Sequence, residues 1–599
     1  MSGQPASQPS AVAPDRIMTL TEVKSGMKGI ARTVFDGTEP EEFNVEIIGV
    51  VPGAIGPKQD MIVGRISGGK AERTGVFAGM SGSPVFVDGK LIGAISYSFP
   101  FSKEPMCGIT PIEQMLSIFE QRVPAKATTE STAFSFAELV STNWSSFNIP
   151  THPVSGSVDT DAYSNTVLAS AAGQTFRPIG TPLTFNGISQ AVLDMFAPQL
   201  LKAGLVPVAS PGGSATIGPM KKADEKTLLG GSSVSMHLTR GDFSIAAAGT
   251  VTLRDGDRIY AFGHPFLSLG SSELPMSESS VVTVVPNMNN SFKIAVPHDM
   301  VGTMTQDRAT GVFGRLGQEP ALIPVRVILD TSRGGEELLS FEVVRDSFLT
   351  PLLVNIGLVN ALIAQERGLG DSVVTVSGDV KLKGTGSIRV NRRFSGAQAN
   401  AMAAGSIASP LATLFRSGFD GLQIESIEVR LRSIDGSRTA TLERISVNKD
   451  RVRPGESIEM QAFAMTNTGR MVMQRIPVKI PLGAPTGKMS IVLGDGTVVQ
   501  RSSPVQHFVP RNLSDLVLTI NQVKIPDRLY LQLIRTSQGA IVGSNEMPDL
   551  PPSFLATLNS ERATGGIRSS VSAILMEMAV PPSEFIITGE QKLTIEVIK

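Results

Sequence analysis

Hydrophobic and polar residues alternate in the first part of the chain, as half-buried β-strands require. In EEFNVEIIGVV, apolar side chains occupy every second position from Phe43 to Ile47. Two apolar runs flank Asp88-Gly89 in PVFVDGKLIGAIS, and these two residue types tolerate the positive φ of a tight hairpin turn. Helical spacing follows in ITPIEQMLSIFEQ. We therefore expect residues 17–125 to form a mainly β region that ends in a helix.

The pattern is lost in residues 122–175, where Ser, Thr, Asn and Pro dominate and indicate a linker or long loop. Apolar residues at helical spacing then appear in SQAVLDMFAPQLLKAGL (189–205) and indicate an amphipathic helix, which Pro198 is expected to break. We therefore interpret residues 126–233 as a linker and inserted segment.

Strand patterns resume at residue 234 and continue to about residue 330. The segment DFSIAAAGTVTLRDGDRIYAFGHPFLSLG predicts two strands around an Asp255-Gly256 turn, ending at Gly263-His264-Pro265. Residues 234–330 are therefore expected to form a second β region.

The remaining chain divides into two further regions. Residues 331–437 are expected to be α+β, with an apolar helix near 351–366, two strands, and SGAQANAMAAGSIASP as a small-residue linker. Residues 438–599 carry a Pro-Gly turn and alternating strands that are typical of β-sandwich modules. The last segment, EFIITGEQKLTIEVIK, has the pattern of a terminal hairpin.

Composition supports a mainly β protein of several domains. The 599 residues are 41% hydrophobic and 18% charged, with 59 Gly and 39 Pro, which indicates packed cores and many turns. The net charge of −1 indicates no global basic surface, so nucleic acid is not an expected partner. No apolar run approaches the length of a membrane span, and residues 1–16 are expected to be a disordered leader without a signal peptide.

Metal and disulfide chemistry are not expected. Cys107 is the single cysteine, so no intrachain disulfide can form. The five histidines show no spacing that would suggest a metal site, and no cofactor is predicted.

The candidate chemistry lies in Gly79-Met80-Ser81-Gly82-Ser83-Pro84. A serine on a sharp glycine turn can act as a nucleophile, and the Gly79 and Ser81 N–H groups can form an oxyanion hole. An ordinary turn before a hairpin explains the same residues, and none of the histidines precedes Ser81 in the chain. From the residues alone, both interpretations remain open.

A family resemblance favours the nucleophile. TGVFAGMSGSPVFVDGKLIGAIS, followed by CGITPIEQML, resembles the catalytic serine segment of the SpoIVB peptidase family, whose members are chymotrypsin-like serine peptidases. The segment Ala261-Phe262-Gly263-His264-Pro265 is similar to the segment that carries the family's histidine. The resemblance implies a chymotrypsin-like double β-barrel in which Ser81 is the nucleophile and His264 the general base.

Two departures from the family pattern accompany this resemblance. The serine half precedes the histidine half here, whereas the family has the opposite order, so we infer an exchange of the two halves. The family's aspartate would fall near Ser67, where no acidic residue stands. Asp255 and Asp257 are candidates for a third catalytic member that orients His264, although Asp-Gly-Asp is also ordinary turn chemistry.

Three functions follow from these observations. The first is a serine endopeptidase that cleaves a protein or peptide through an acyl-enzyme. The second is a weakly active or inactive peptidase-fold scaffold of the bacterial envelope, and the third is a self-processing peptidase cut within residues 122–175. The family resemblance implies a periplasmic or secreted bacterial protein, with the cytoplasm left open, and the C-terminal β region is a candidate surface for a protein partner or an oligomer.

Overall fold

A computed structural model describes most of the chain outside its N-terminus and several connecting segments. The described residues are 16–99, 102–118, 133–136, 139, 176–209, 217–288, 290–330, 335–365, 370–503, 507–542, 545–558 and 567–599. The predicted leader (1–16) and linker (122–175) lie almost wholly outside them. The chain divides into two compact units, the first comprising residues 1–125, 146–325 and 340–360, and the second comprising 126–145, 326–339 and 361–599. Strands dominate both units, which confirms the mainly β, chymotrypsin-like fold class.

The first unit begins with a closed barrel, here called the first barrel. Its strands are β1 (Lys28–Thr33), β2 (Glu41–Gly56), β3 (Gln59–Ser67), β4 (Ser83–Val87), β5 (Lys90–Ser98) and β6 (Met106–Pro111). They pair in the order β4-β1-β2-β3-β6-β5, and β4 also pairs with β5, which closes the ring. Helix α1 (Ala71–Thr74) joins β3 to β4, and α2 (Ile112–Leu116) follows β6. The predicted hairpin is confirmed, since Asp88 and Gly89 connect β4 and β5 with φ of 50° and 78°.

The strand β7 (Phe134–Ser135) belongs to the second unit, and the chain then returns to the first. Here β8 (Arg177–Pro178) pairs with β5, and β9 (Thr181–Asn186) pairs with β10 (Leu205–Ala209) in parallel. Helix α3 (Gln190–Lys202) connects β9 and β10 and runs through Pro198 without interruption, so the expected break is wrong. Its buried residues Val192, Leu193, Phe196 and Leu200 lie at helical spacing, and their packing stabilises the helix despite the proline.

A second closed barrel follows, here called the second barrel. Its strands are β11 (Ser233–Gly241), β12 (Ser244–Asp255), β13 (Arg258–Ala261), β14 (Gly270–Val285), β15 (Phe292–Arg308) and β16 (Gly311–Leu316). They pair in the order β12-β13-β16-β15-β14-β11, and β11 pairs back with β12. When the six strands of each barrel are numbered along the chain, both rings have the same order of neighbours: first, second, third, sixth, fifth, fourth. The two β regions predicted from sequence are two barrels of the same topology.

The two barrels pack directly against each other within the first unit. One apolar cluster combines Leu91, Ala94 and Met115 of the first half with Tyr260 and Phe313 of the second barrel. A pair of backbone hydrogen bonds, each of 2.8 Å, links Gly37 to Val281. Burial of apolar surface from both halves in shared clusters fixes the position of one barrel on the other.

Three elements contribute residues to both units: β17 (Leu322–Asp330), β18 (Glu336–Val344) and α4 (Leu349–Gln365). Helix α4 confirms the apolar helix predicted near residues 351–366. Part of the predicted α+β region then appears in the second unit as β19 (Ser372–Leu382), β20 (Gly386–Gly396) and β21 (Ile424–Asp435), with β19 between the other two.

The small-residue segment after β20 is not a linker, contrary to the sequence-based expectation. It forms helix α5 (Ala399–Arg416), most of which is buried. The helix packs closely on β19, where a Cβ at Gly378 would lie 2.9 Å from Ile407 Cδ1. Small side chains permit this close packing, so they indicate a buried helix here rather than an unstructured connection.

The C-terminal region builds two sheets around one apolar core, in agreement with the sandwich-like pattern. The strands of these sheets are β22 (Thr439–Val447), β23 (Arg451–Val452), β24 (Ser457–Thr466), β25 (Met471–Lys479), β26 (Gly487–Asp495), β28 (Leu529–Val542), β29 (Asn545–Met547), β30 (Ile567–Ala579), β31 (Ile586–Thr588) and β32 (Glu590–Val597). One sheet has the order β25-β24-β22-β31, and the other has the order β23-β32-β26-β28-β29, with β30 paired to β28. The short strand β27 (His507–Phe508) pairs with β7 instead. The helices are α6 (Gly496–Ser502), α7 (Leu513–Gln522) and α8 (Pro552–Leu558).

The last two strands do not form the predicted hairpin. β31 pairs with β22 and β32 pairs with β26, so the chain crosses from one sheet to the other at Gly589, which has φ of 104°. Among the described residues, no helix is long and apolar enough to cross a membrane.

Candidate active site

Ser81 lies in the connection between the third and fourth strands of the first barrel. Gly79 and Gly82 flank it with φ of 95° and 96°, conformations that disfavour residues with a Cβ. The Met80 N–H donates to Phe77 O at 3.0 Å, and the Ser83 N–H and Oγ both donate to Met80 O. These bonds wind the chain into a compact turn with Ser81 at its centre.

The N–H groups expected to form the oxyanion hole are available. Within the described part of the chain, neither the Gly79 N–H nor the Ser81 N–H donates a hydrogen bond. The carbonyl groups of the same residues are engaged, because Gly79 O accepts from Thr250 Oγ1 at 3.0 Å and Ser81 O accepts from Thr250 N at 2.9 Å. Thr250 of β12 therefore fixes the turn through the turn's carbonyl groups, while the Gly79 and Ser81 N–H groups donate to no described residue.

Gly82 lies in contact with the second barrel. A Cβ at this position would lie 1.9 Å from Thr250 O and 2.6 Å from Phe262 N. Both partners are backbone atoms, so only a residue without a side chain fits. Gly82 thus marks where the serine turn and the chain leading to His264 meet.

His264 occupies the equivalent connection of the second barrel, between its third and fourth strands. The preceding Gly263 is held on the first barrel, where Thr110 Oγ1 donates to Gly263 O at 2.7 Å. A Cβ at Gly263 would lie 2.8 Å from Ser96 Cβ. The His264 ring has Nδ1 2.8 Å from Pro265 O, so the proton belongs on Nδ1 and Nε2 is left as the acceptor that a general base needs.

The serine and histidine segments are adjacent, but the catalytic hydrogen bond is not formed. Ser81 Oγ has no hydrogen-bond partner among the described residues. Both side chains are buried, with relative exposures of 0% for Ser81 and 1% for His264. Catalytic hydrogen bonds are often long in unliganded enzymes, and a substrate could reach this serine only after a local movement.

The candidate acids lie elsewhere on the second barrel. Asp255 and Asp257 stand at the end of β13 away from His264, and Asp257 Oδ2 accepts a hydrogen bond of 2.7 Å from Arg315. Their role as a third catalytic member stays a prediction.

Asp307, which the sequence reasoning missed, supports the histidine segment. It stands near the end of β15, is 1% exposed, and accepts hydrogen bonds from the backbone N–H groups of three residues that follow His264. The three donors, at 2.7, 2.8 and 2.9 Å, are Phe266, Leu267 and Leu269. The available signal was a lone acidic residue shortly before GVFGRLG, the segment that forms β16.

A serine–histidine hydrogen bond does occur inside the second barrel, where it is structural. His237 Nε2 lies 2.8 Å from Ser277 Oγ, and both residues are buried between β11 and β14. Burial lowers the pKa of His237 to about 4, because the charged imidazolium would lose its hydration. No group of three or more metal-ligating side chains is found among the described residues.

Comparison with known proteins supports the family resemblance. Residues 3–116 match the family model of SpoIVB peptidase S55. This stretch includes the whole first barrel and the serine turn, and the match supports a SpoIVB-type peptidase in general. No curated protein and no solved structure is significantly similar to the chain.

Proposed function

We propose that the protein is a serine endopeptidase of the SpoIVB type. Ser81 attacks the scissile carbonyl of a protein or peptide, and His264 accepts the Ser81 proton through Nε2. The N–H groups of Gly79 and Ser81 stabilise the oxyanion of the tetrahedral intermediate. The acyl-enzyme is then hydrolysed by water.

One observation carries this proposal. Two barrels of identical strand order present the serine and the histidine from equivalent connections, and Gly82 of the serine connection packs against Phe262 of the histidine connection. The unused N–H groups of Gly79 and Ser81 fit the same chemistry. An ordinary turn before a hairpin would need neither feature.

Asp307 completes the arrangement as a positioning residue. Its carboxylate holds the chain immediately after His264 through three charge-assisted hydrogen bonds, which fixes the path of the histidine segment. This role differs from that expected of Asp255 or Asp257, which would contact the imidazole directly.

An inactive peptidase-fold scaffold is the second candidate function. The burial of both Ser81 and His264 favours it, because a substrate cannot reach a serine that has no exposed surface. The two candidates differ in whether the buried serine ever becomes reactive.

Labelling with a small alkyl fluorophosphonate separates the two functions, because the probe reacts only with an activated serine. We expect the folded wild type to be labelled, Ser81→Ala to lose labelling, and the exposed-site control Ser102→Ala to keep it. Absence of labelling in a folded wild type would support the scaffold.

Self-processing within residues 122–175 makes a separate prediction. The mass spectrum of the purified wild type should then contain cleavage products that are missing from Ser81→Ala.

The site of action follows from the family. SpoIVB peptidases are typically extracytoplasmic, so we propose a periplasmic or secreted location. The C-terminal β region is then available to bind a protein partner or a second copy.

A further inference from the structure

A buried lysine, Lys293, lies beside the serine turn. Lys293, near the start of β15, is 0% exposed, and its Nζ makes no hydrogen bond to any described residue. Its ammonium lies 5.9 Å from the centre of the Phe77 ring, a weak interaction at that distance. A buried cation without a carboxylate is costly, so it needs an explanation.

The backbone fixes Lys293 against the turn. Its N–H donates to Ala78 O at 2.9 Å, and the Ala78 N–H donates to Ser291 O at 2.7 Å. The side chain then passes alongside Gly79, where a Cβ would lie 3.0 Å from Lys293 Cβ and 3.4 Å from Lys293 Cδ. Lys293 therefore reaches the segment that leads into Ser81, from the opposite barrel.

We infer that Lys293 is a specificity determinant of the proposed peptidase, and that its ammonium binds the carboxylate of an acidic substrate side chain next to the scissile bond. The inference rests on the proposed function. It also specifies the substrate class, which the sequence left open. The preferred peptides have Asp or Glu immediately on the N-terminal side of the cleaved bond.

The position of the ammonium favours a side-chain carboxylate over the oxyanion. The oxyanion already has two donors, the N–H groups of Gly79 and Ser81. The lysine head lies instead toward Phe77, two residues before the first of those donors. The ammonium is therefore assigned to a side chain beside the reacting carbonyl and not to the carbonyl itself.

Burial is consistent with this role. Desolvation lowers the pKa of Lys293 to about 7, so the buried amine holds its proton weakly until a bound anion stabilises the charge. Lys293 and Pro182 both contact the Gly79 position, at 3.0 Å from its Cβ site. Lys293 thus packs directly on the turn that carries Ser81, so a displacement of the turn that uncovers the serine would also uncover the lysine.

Peptidyl phosphonate probes that differ only in the residue next to phosphorus test the inference. We expect the full-length wild type to react with the Glu probe at least about tenfold faster than with the Gln probe. Lys293→Met should bring the two rates within about twofold by slowing the Glu probe alone, and Lys293→Arg should retain the preference. A small alkyl fluorophosphonate measures the reactivity of Ser81 itself in each variant.

Each outcome is decisive. Equal rates for the two probes in a wild type that reacts with the alkyl probe would overturn the inference and leave the peptidase intact. Slowing of every probe by Lys293→Met would assign the lysine to the reactivity of Ser81 or to the oxyanion and would also overturn the inference. If no probe labels a folded wild type, the proposed function itself fails, and the inference fails with it.

Discussion

The two barrels share one strand order but support their third-to-fourth connections differently. In the first barrel, this connection is a glycine turn whose carbonyl groups bind Thr250 of the other barrel. In the second barrel, the connection is held by a carboxylate of the same barrel, Asp307, and also by Thr110 of the first. The serine turn is thus held by Thr250 of the other barrel and by a 2.8 Å hydrogen bond from its Gly82 N–H to Ile95 O of its own barrel, whereas the histidine segment is held mainly by a buried carboxylate.

The two barrels therefore contribute different groups to the candidate site. The first barrel supplies the turn, whose Gly79 and Ser81 N–H groups donate to no described residue, and the second barrel supplies the hydrogen bonds to the carbonyl groups of the same two residues. The contact between the halves is therefore part of the site, and substitutions there should matter more than substitutions on either barrel alone.

The largest effect is expected at the junction itself. Gly82→Ala places a methyl group 1.9 Å from Thr250 O, so we expect a loss of at least about 4 kcal/mol in the free energy of unfolding, or failure to fold. Gly75→Ala is the matched control, since Gly75 also has positive φ but its Cβ site is open. It should cost only about 1–2 kcal/mol in urea denaturation. Equal costs would contradict a tight junction.

A smaller effect is expected from the carboxylate that supports the histidine segment. Asp307→Asn replaces a charged acceptor of three N–H groups and should cost about 2–4 kcal/mol, with a large drop in fluorophosphonate labelling. Asp257→Asn breaks only a half-exposed ion pair with Arg315 and should change the free energy of unfolding by less than about 1 kcal/mol. The reverse ranking in the labelling assay would favour Asp257 as the third catalytic member that orients His264.

The smallest effect concerns Lys293 and depends on pH. The folded pKa of about 7 lies below that of an unfolded lysine, so between these values the unfolded chain binds the additional proton. Stability contributed by this site therefore rises with pH over that window and is lost as pH falls. Lys293→Met should be more stable than the wild type at pH 7, by an amount on the order of 1–3 kcal/mol that shrinks toward pH 10.

The exposed Lys221 provides the control for this measurement, because its ammonium is mostly in water and 3.6 Å from Glu278. Thermal or urea unfolding of Lys221→Met between pH 6 and 10 should run parallel to the wild type. A constant difference between Lys293→Met and the wild type over the same range would show that Lys293 is not buried in solution.

Local patterns predicted the local structure well. Alternating burial in β2 and the Asp88-Gly89 turn follow from neighbouring residues, so the sequence could indicate them. Helix α5 was missed because Ala, Gly and Ser are common in linkers, and its stability comes from packing on β19 rather than from periodicity. The terminal hairpin was wrong because β31 and β32 found partners in different sheets.

In the candidate site, too, some residues could be predicted from their neighbours in sequence and others could not. Ser81 and His264 stand in motifs that can be read locally, whereas Asp307 acts on residues about forty positions away in the chain. Lys293 is a residue type that is almost always exposed, and only the tertiary structure places it beside Gly79. Supporting residues of this kind depend on the pairing of strands that are distant in sequence.

The order of the two barrels along the chain has a consequence for biosynthesis. A growing polypeptide folds its N-terminal domain first, and translation needs seconds to add each hundred or so residues. The first barrel, with its serine turn, is complete at Pro111, long before Thr250 and His264 emerge. A nascent chain therefore carries the proposed nucleophile without its base and without the threonine that fixes the turn, so peptidase activity would be withheld until the second barrel has been made.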